Sequence, residues 1–596
     1  MNPETKICQN CYQNFTIEPE DFKFYEKISV PPPTWCPECR MIRRFTFRNE
    51  HTLFRRKCDL CGKDIVANFS ANGKSRVYCP ECWWSDKWDP LSYGKEYDFS
   101  KSFFEQFRSI AKITPHLNLW AFNMVNSDYA NYCGYGKNIY LSVSVVGGED
   151  IYYSSYLDKS FNIFDSDKVK DSELCYENIN GANNSRSHFL VDSRDCIDSL
   201  FLYNCVNCQN CFMSSNLRNK KFHIRNEPYS KEEYFKKLED NNLGSNKSIT
   251  ELKVDFSELH KNALHKFAAV IKSVGVTGDN ITASKNSHNV YNAEEVENVN
   301  FSWRVHHLKD SYDVAGVIFS ELCYEVSTGG DYNYLGKFYT HSKSVNNFEY
   351  SHFSPDSSNL FGCYGLRSKS YCILNKQYTK EEYETLVPRI IKHMNDMPYI
   401  DKKGRVYKYG EFFPPELSPF SYNETIAQEY FPLTKEEALN QGYSWKDTEP
   451  RNYQITLKTE DIPDHIKDVP DSILNDIIQC AHNIGTSDDV QNCNEQCTEA
   501  YRIIPQELDF LRKQNLPIPR LCPNCRHYSR IKQRNPLKLW HRKCQCAGSK
   551  SENQVYANTI AHEHGENHCE NNFETTYAPE RQEIVYCESC YLKEVV

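Results

Sequence analysis

The chain has 596 residues, enough for roughly three to five domains. It has no run of 18 apolar residues and no apolar stretch behind the first Met, so neither a membrane span nor a signal peptide is expected. Its 27 Cys, an odd number in a chain of formal charge −10, suggest a reducing, cytoplasmic setting and metal ligation rather than disulfides.

Residues 1–90 read as a zinc-binding module. Cys8-x2-Cys11, Cys36-x2-Cys39, Cys58-x2-Cys61 and Cys79-x2-Cys82 follow one another at intervals of 24, 18 and 17 residues. Such pairs suit structural zinc, because a short turn presents two thiolates to one tetrahedral ion. One site is expected from Cys8, Cys11, Cys36 and Cys39, and a second from Cys58, Cys61, Cys79 and Cys82. The module should run knuckle, short strand, helix near 19–28, Pro-rich turn, then a ligand pair opening a second helix. Pro37 directly after Cys36 suits the first turn of that helix. This is a treble-clef or zinc-ribbon pattern.

After Cys39 the chain turns basic. Residues 40–57 carry +6 and the matching tract 526–543 carries +7, so the remainder of a −10 chain carries −23. Arg40, Arg44 and Arg48 recur as Arg526, Arg530 and Arg534, on one helix face by their spacing. Arg56 and Lys57 recur as Arg542 and Lys543. With aromatics interleaved, these ten residues are candidate contacts to RNA or DNA phosphates. The alternative is that the helices dock on the protein's own acidic surface. The Trp83-Trp84-Ser85-Asp86-Lys87-Trp88 tract leads to an amphipathic helix near 98–111 and should dock the zinc block on the segment that follows.

The middle is doubled, as residues 91–245 and 246–395. Ser172–Glu177 returns 148 residues later as Ser320–Glu325, and Tyr229–Tyr234 returns as Tyr378–Tyr383. Short strand-like runs such as Asn138–Val146 and Val299–Val305, rich in Asn, Ser, Cys and Tyr, predict stacked β-solenoid coils with inward Asn and Cys ladders. Each copy should close with a capped helix, Ser230 facing Glu233 and Thr379 facing Glu382. Cys205-x2-Cys208-x2-Cys211 is expected to be ladder residues rather than a metal or iron–sulfur site, since no fourth ligand follows at ferredoxin-like spacing. Residues 396–475 read as an extended connector with short helices.

Residues 476–596 repeat the zinc block. A shift of 486 places Cys11, Cys36, Cys39 and Cys58 on Cys497, Cys522, Cys525 and Cys544. The expected third site is Cys493, Cys497, Cys522 and Cys525; the fourth is Cys544, Cys546, Cys587 and Cys590. Cys544-Gln545-Cys546 is one residue short of a knuckle. The insert behind it holds His562, His564, His568 and Cys569, which add a metal site, lend a ligand to the fourth, or form a solvated loop.

The stretches Val30–Arg40, Val77–Cys79, Trp84–Asp89, Ser418–Thr425 and Tyr577–Cys590 resemble a family of uncharacterised Cys-rich zinc-ribbon proteins from metagenome-derived bacteria. Some of its members carry a CoA-transferase label of the CaiB/BaiF type. This chain has neither a Rossmann-like glycine fingerprint nor α/β alternation, so the resemblance implies an architecture and transfers no catalytic residue.

The expected fold is therefore multidomain and mainly β, with about four zinc ions. The leading functional reading is a zinc-dependent scaffold whose Arg helices clasp nucleic acid or a ribonucleoprotein. The alternative is a protein-interaction scaffold using the acidic, Tyr-rich solenoid surface. An enzyme acting on a polysaccharide through Asp192, Asp195 and Asp198 is the weakest, and four-Cys sites leave no open coordination position for catalysis.

Overall fold

The structure, a computed structural model, describes residues 2–73, 75–447, 453–484, 496–548, 557–565 and 567–596. The chain is multidomain and rich in strands. It divides into two compact units that interleave in sequence. One comprises Met1–Leu119, Ala268–Asp447 and Leu537–Leu539; the other comprises Trp120–Phe267, Thr448–Pro536 and Trp540–Val596. The first cysteine block shares a unit with the second repeat, and the last block shares a unit with the first repeat.

Each unit contains a large parallel sheet. In the second unit Val143 pairs with Ser155, Leu157 with Val169, and Val169 with Gly181, a constant step of twelve residues. The same step pairs Ile139 with Ile151 and Ile163 with Cys175. It follows from a three-residue rhythm in the backbone. From Asp150 through Tyr153, Tyr156, Lys159 and Asn162 to Asp198, every third residue has φ near +50°. Asn and Asp tolerate this left-handed region because their short side chains bond locally, which is why they crowd these corners. Tyr and Phe at such corners are strained and persist only because the ladder holds them.

Inside the turns, side chains repeat in register. Ser142 Oγ accepts the Ser154 N–H, Ser154 Oγ accepts the Ser166 N–H, and Ser166 Oγ accepts the Asn178 N–H, at 3.0–3.1 Å. Small hydroxyls thereby satisfy backbone donors that the corners remove from the sheet. Beside them Ile139, Val145, Ile151, Leu157, Ile163 and Val169 form a dry stack. In the first unit the matching sheet stacks Val305, Val314, Val326, Phe348, Leu360 and Cys372. There the step is twelve from Val314 to Val326 but thirteen from Val326 to Tyr339.

The closing helices form as expected. Lys231–Glu239 and Lys380–Asp396 each begin at a capping box, on Ser230 and Thr379, and each follows an antiparallel hairpin that ends the parallel pairing. The amphipathic helix lies at Phe103–Ile113 and buries Phe103, Phe104, Phe107 and Ile110. Trp83 stacks on Phe353 at 4.5 Å, and Arg367 donates to the Trp83 carbonyl, so this tract does seat the cysteine block on the parallel sheet. Among the described residues no helix is long and apolar enough to cross a membrane.

Several histidines are sealed in these cores. Burial holds His116, His265 and His341 down to about 3, and His188 and His260 down to about 4. The folded state therefore keeps them neutral, while the unfolded chain binds protons below pH about 6.5. Their contribution is complete above pH about 6.5 and is lost as the pH falls towards 3. The urea midpoint of the metal-saturated protein should drop between pH 7.5 and 5, and His341→Phe should flatten that slope. A midpoint constant over this range would remove these histidines from the account.

Candidate metal centres

Four cysteine clusters share one local design. Each begins with a short antiparallel hairpin that carries the first ligand pair. Glu4–Ile7 pairs with Asn14–Ile17 around Cys8 and Cys11, and Phe54–Lys57 pairs with Asp64–Ala67 around Cys58 and Cys61. The second pair opens a helix, with Cys36, Cys79, Cys522 and Cys587 as N-caps. In all four clusters the N–H of that cap donates to the first sulfur. Cys36 donates to Cys8 at 3.2 Å, Cys79 to Cys58 at 3.3 Å, Cys522 to Cys480 at 3.1 Å and Cys587 to Cys544 at 3.2 Å. Backbone donors and the positive end of a helix both favour thiolate over thiol.

The first two sites are those expected: Cys8, Cys11, Cys36 and Cys39, then Cys58, Cys61, Cys79 and Cys82. The third assembles from Cys480, Cys497, Cys522 and Cys525, so Cys480 stands where Cys493 was expected; Cys493 lies outside the described residues. The fourth assembles from Cys544, Cys569, Cys587 and Cys590, so Cys569 replaces Cys546. The reason in both cases is the hairpin. Ile478–Gln479 pairs with Ala500–Tyr501 and delivers Cys480 as Glu4–Ile7 delivers Cys8. Trp540–Lys543 pairs with Asn572–Thr575, and Cys569 precedes Asn572 by three residues, as Cys61 precedes Asp64. The two-residue knuckle turns have become long inserts, and strand pairing closes them.

Sulfur spacing fits a bound ion. Cys11 and Cys36 are 3.8 Å apart, Cys61 and Cys79 3.9 Å, Cys480 and Cys525 4.0 Å, and Cys569 and Cys587 3.8 Å. A tetrahedral zinc with Zn–S of about 2.3 Å has edges of about 3.8 Å, whereas a disulfide needs about 2.05 Å. Among the described residues no cysteine forms a disulfide. Each cluster also holds at least one sulfur drawn towards ionisation, and the third holds two, Cys480 and Cys522. Cys8 is lowered by the thiols of Cys36 and Cys39, and Cys522 by those of Cys480, Cys497 and Cys525. Burial raises Cys58, yet the N–H groups of Cys61 and Cys79 bring it down to about 7, and the Cys544 thiol brings Cys587 down to about 3. These four clusters can hold roughly four zinc ions, in closed sites with no position for a substrate.

The basic face expected to read phosphates is turned inward. Arg40 donates from Nε to Asp313 Oδ2 at 3.0 Å and from Nη1 to the Trp35 carbonyl at 2.7 Å. Arg44 Nη1 reaches Asp313 Oδ1 at 2.9 Å and Glu325 Oε2 at 3.0 Å. Arg43, which the spacing argument passed over, bridges Glu325 and Glu411 at 2.8 and 2.9 Å. Arg48 pairs with Glu50 at 2.5 Å and donates to Thr328. In the second copy Arg526 reaches Asp165 at 2.5 Å and Glu507 at 2.9 Å, Arg530 reaches Asp165 at 2.8 Å, and Arg534 reaches Asp167 at 3.2 Å. Arg40 and Arg44 are 1% exposed. A guanidinium so enclosed cannot touch a polyanion without the helix leaving its seat. Arg56 is also enclosed, bonded to Asp59, and Arg542 is half-buried against the Ala578 carbonyl; Lys57 and Lys543 face solvent.

Three of the acids that receive these arginines, Asp165, Asp313 and Glu325, are corner residues of the parallel sheets. Asp165 and Asp313, both with positive φ, are 148 residues apart, which is the repeat interval itself. The lock between cysteine block and sheet is therefore duplicated with everything else. Burial opposes the charge on Arg40 and Arg526, but Asp313 and Asp165 hold both well above the ordinary range.

Two other candidate groups lie in the parallel sheet of the second unit. Cys205, Cys208 and Cys211 are buried beside Leu190, Leu202 and Leu217, and each thiol donates to the carbonyl two residues earlier. Asp192, Asp195 and Asp198 accept from Asn180, Asn183 and Arg186, each twelve residues earlier, at 2.9, 3.0 and 2.7 Å. These carboxylates serve the ladder, each bound to its own neighbour rather than paired across a cleft. No family model matches the chain, and no curated protein matches it.

Proposed function

We propose that the protein is a zinc-held binding scaffold whose two parallel sheets are β-solenoid coils, and whose partner is a protein that meets the outward corners of those coils. One observation carries this reading: the arginine helices are consumed by internal ion pairs with Asp313, Glu325, Asp165 and Glu507. Their work is to lock a metal-bearing module to a coil, and the surface left for recognition belongs to the coils. On the first unit that surface carries an aromatic row. His307 stacks on Phe319 at 4.4 Å and Phe319 on Tyr332 at 5.4 Å, with interplanar angles of 5° and 9°. Phe319 is 45% and Tyr332 62% exposed. Rigid exposed rings are favoured anchors at protein interfaces, because they cover much area at little entropic cost.

Native mass spectrometry of the purified full chain, with analysis for co-purifying RNA and DNA, tests the reading. The expected result is zinc-loaded protein free of nucleic acid, and a cross-linked partner protein that Phe319→Ala with Tyr332→Ala releases at unchanged zinc content. Salt-releasable nucleic acid on the purified protein overturns the protein-partner reading and leaves the zinc scaffold standing.

A further inference from the structure

The insert between Cys544 and Cys587 brings a fifth donor set against the fourth. Cys546, His562, His564 and Cys590 place their ligand atoms within 4.8 Å of one another. Cys546 Sγ lies 3.2 Å from His562 Nδ1 and 3.3 Å from His564 Nε2, and Cys590 Sγ lies 3.4 Å from the same Nε2. An ion about 2.3 Å from sulfur and about 2.0 Å from nitrogen sets tetrahedral edges of about 3.5 Å. Cys590 also belongs to the four-cysteine cluster with Cys544, Cys569 and Cys587.

The surroundings of the two imidazoles are those of metal ligands. His562 Nε2 meets the buried Glu594 carboxylate at 2.9 Å, and His564 Nδ1 meets the Asn567 carbonyl at 2.7 Å. Each ring thus has its far nitrogen held by an acceptor, which fixes the tautomer and points the other lone pair into the donor set. Glu594 further accepts the Thr559 N–H and hydroxyl at 3.0 and 2.8 Å, tying the insert to the Glu588–Val595 helix that carries Cys590. Asn558 Nδ2 donates to Cys546 Sγ at 3.0 Å, as it would to a thiolate. Nothing comparable exists at the second site, where only Asp59 and Leu60 separate Cys58 from Cys61.

We propose that Cys590 is a bridging thiolate in a two-zinc centre. One ion is held by Cys544, Cys569, Cys587 and Cys590, the other by Cys546, His562, His564 and Cys590. Five thiolates then face two divalent ions and leave one net negative charge. An isolated four-cysteine zinc leaves two. Sharing one sulfur thus lowers the charge that the buried site must hold.

The inference rests on the reading of the cysteine clusters as metal centres, and its test separates the two. Native mass spectrometry of the zinc-loaded full chain should count five ions, and His564→Ala and Cys546→Ser should each count four. In the cobalt-loaded protein a thiolate bridge couples two high-spin ions, so the low-temperature EPR intensity should correspond to three of the five ions. His564→Ala should restore the intensity to the metal count, since it removes one member of the pair. Four ions in the unaltered chain, or an EPR intensity equal to five uncoupled ions, overturns the bridged centre and leaves the four-cysteine sites intact. A count of zero overturns both. Using His564→Ala and Cys546→Ser leaves the four-cysteine set whole, so the comparison does not depend on a variant that loses it.

Discussion

Asp313→Ala should destabilise the protein by about 3–5 kcal/mol, the usual cost of removing one partner from a buried ion pair. Asp313 takes Arg40 on one carboxylate oxygen and Arg44 on the other, and all three side chains are out of water. Removal leaves two enclosed guanidinium groups sharing Glu325, which already holds Arg43 and lies 3.9 Å from Arg40. The urea midpoint should fall accordingly, with zinc content unchanged in the fraction that remains folded. Asp165→Ala, the equivalent change one repeat earlier, should act in the same direction through Arg526 and Arg530. The triple change Arg40→Glu, Arg44→Glu and Arg48→Glu should unfold the module outright, because it sets new carboxylates against Asp313 and Glu325. A stable triple variant, or an Asp313→Ala midpoint within error of the parent, would show that the buried network is dispensable. A joint replacement of Arg40, Arg44 and Asp313 by apolar residues should recover most of the loss, since such networks are often no more stabilising than well-packed hydrophobic groups.

Chelation is expected to have the larger effect. Structural zinc in finger peptides binds with about 10–16 kcal/mol of apparent free energy at pH 7, and in such small modules that is folding free energy. The cysteine blocks here are equally short. Their strands run two to four residues, too short to persist as a hairpin without the ligand pair that closes each turn. Trp35 and Trp83 adjoin ligands Cys36 and Cys82 and are fully buried, so they report on the blocks directly. Stripping the metal under reducing conditions should shift tryptophan emission to the red and expose the cysteines to thiol reagents. The far-UV β signal should persist in large part, because the stacks around Val314, Val326 and Leu360 and around Ile151 and Leu157 are made within the sheets. Unmoved tryptophan emission at zero metal content would mean that the clusters do not hold the blocks together.

The sequence alone determined what is local. Two Cys in a short turn meet one ion by geometry, so Cys8 with Cys11 and Cys58 with Cys61 were legible, as were Cys36, Cys79, Cys522 and Cys587 at helix starts marked in three cases by Pro. The capping boxes at Ser230 and Thr379 were legible for the same reason: three residues settle them. Where an insert separates a ligand from its partner, local spacing carries no information. Cys480 and Cys569 join their clusters because strands Ile478–Gln479 and Asn572–Thr575 pair across the inserts; the recoverable signal was their distance from those strands rather than from another Cys. The arginine stripe shows the limit most clearly. Its helical face could be read from the chain, but a charge does not carry the address of its counter-ion. Asp313 lies 273 residues from Arg40, and only the tertiary structure brings that carboxylate to the helix and converts a face that looked made for phosphate into an internal lock.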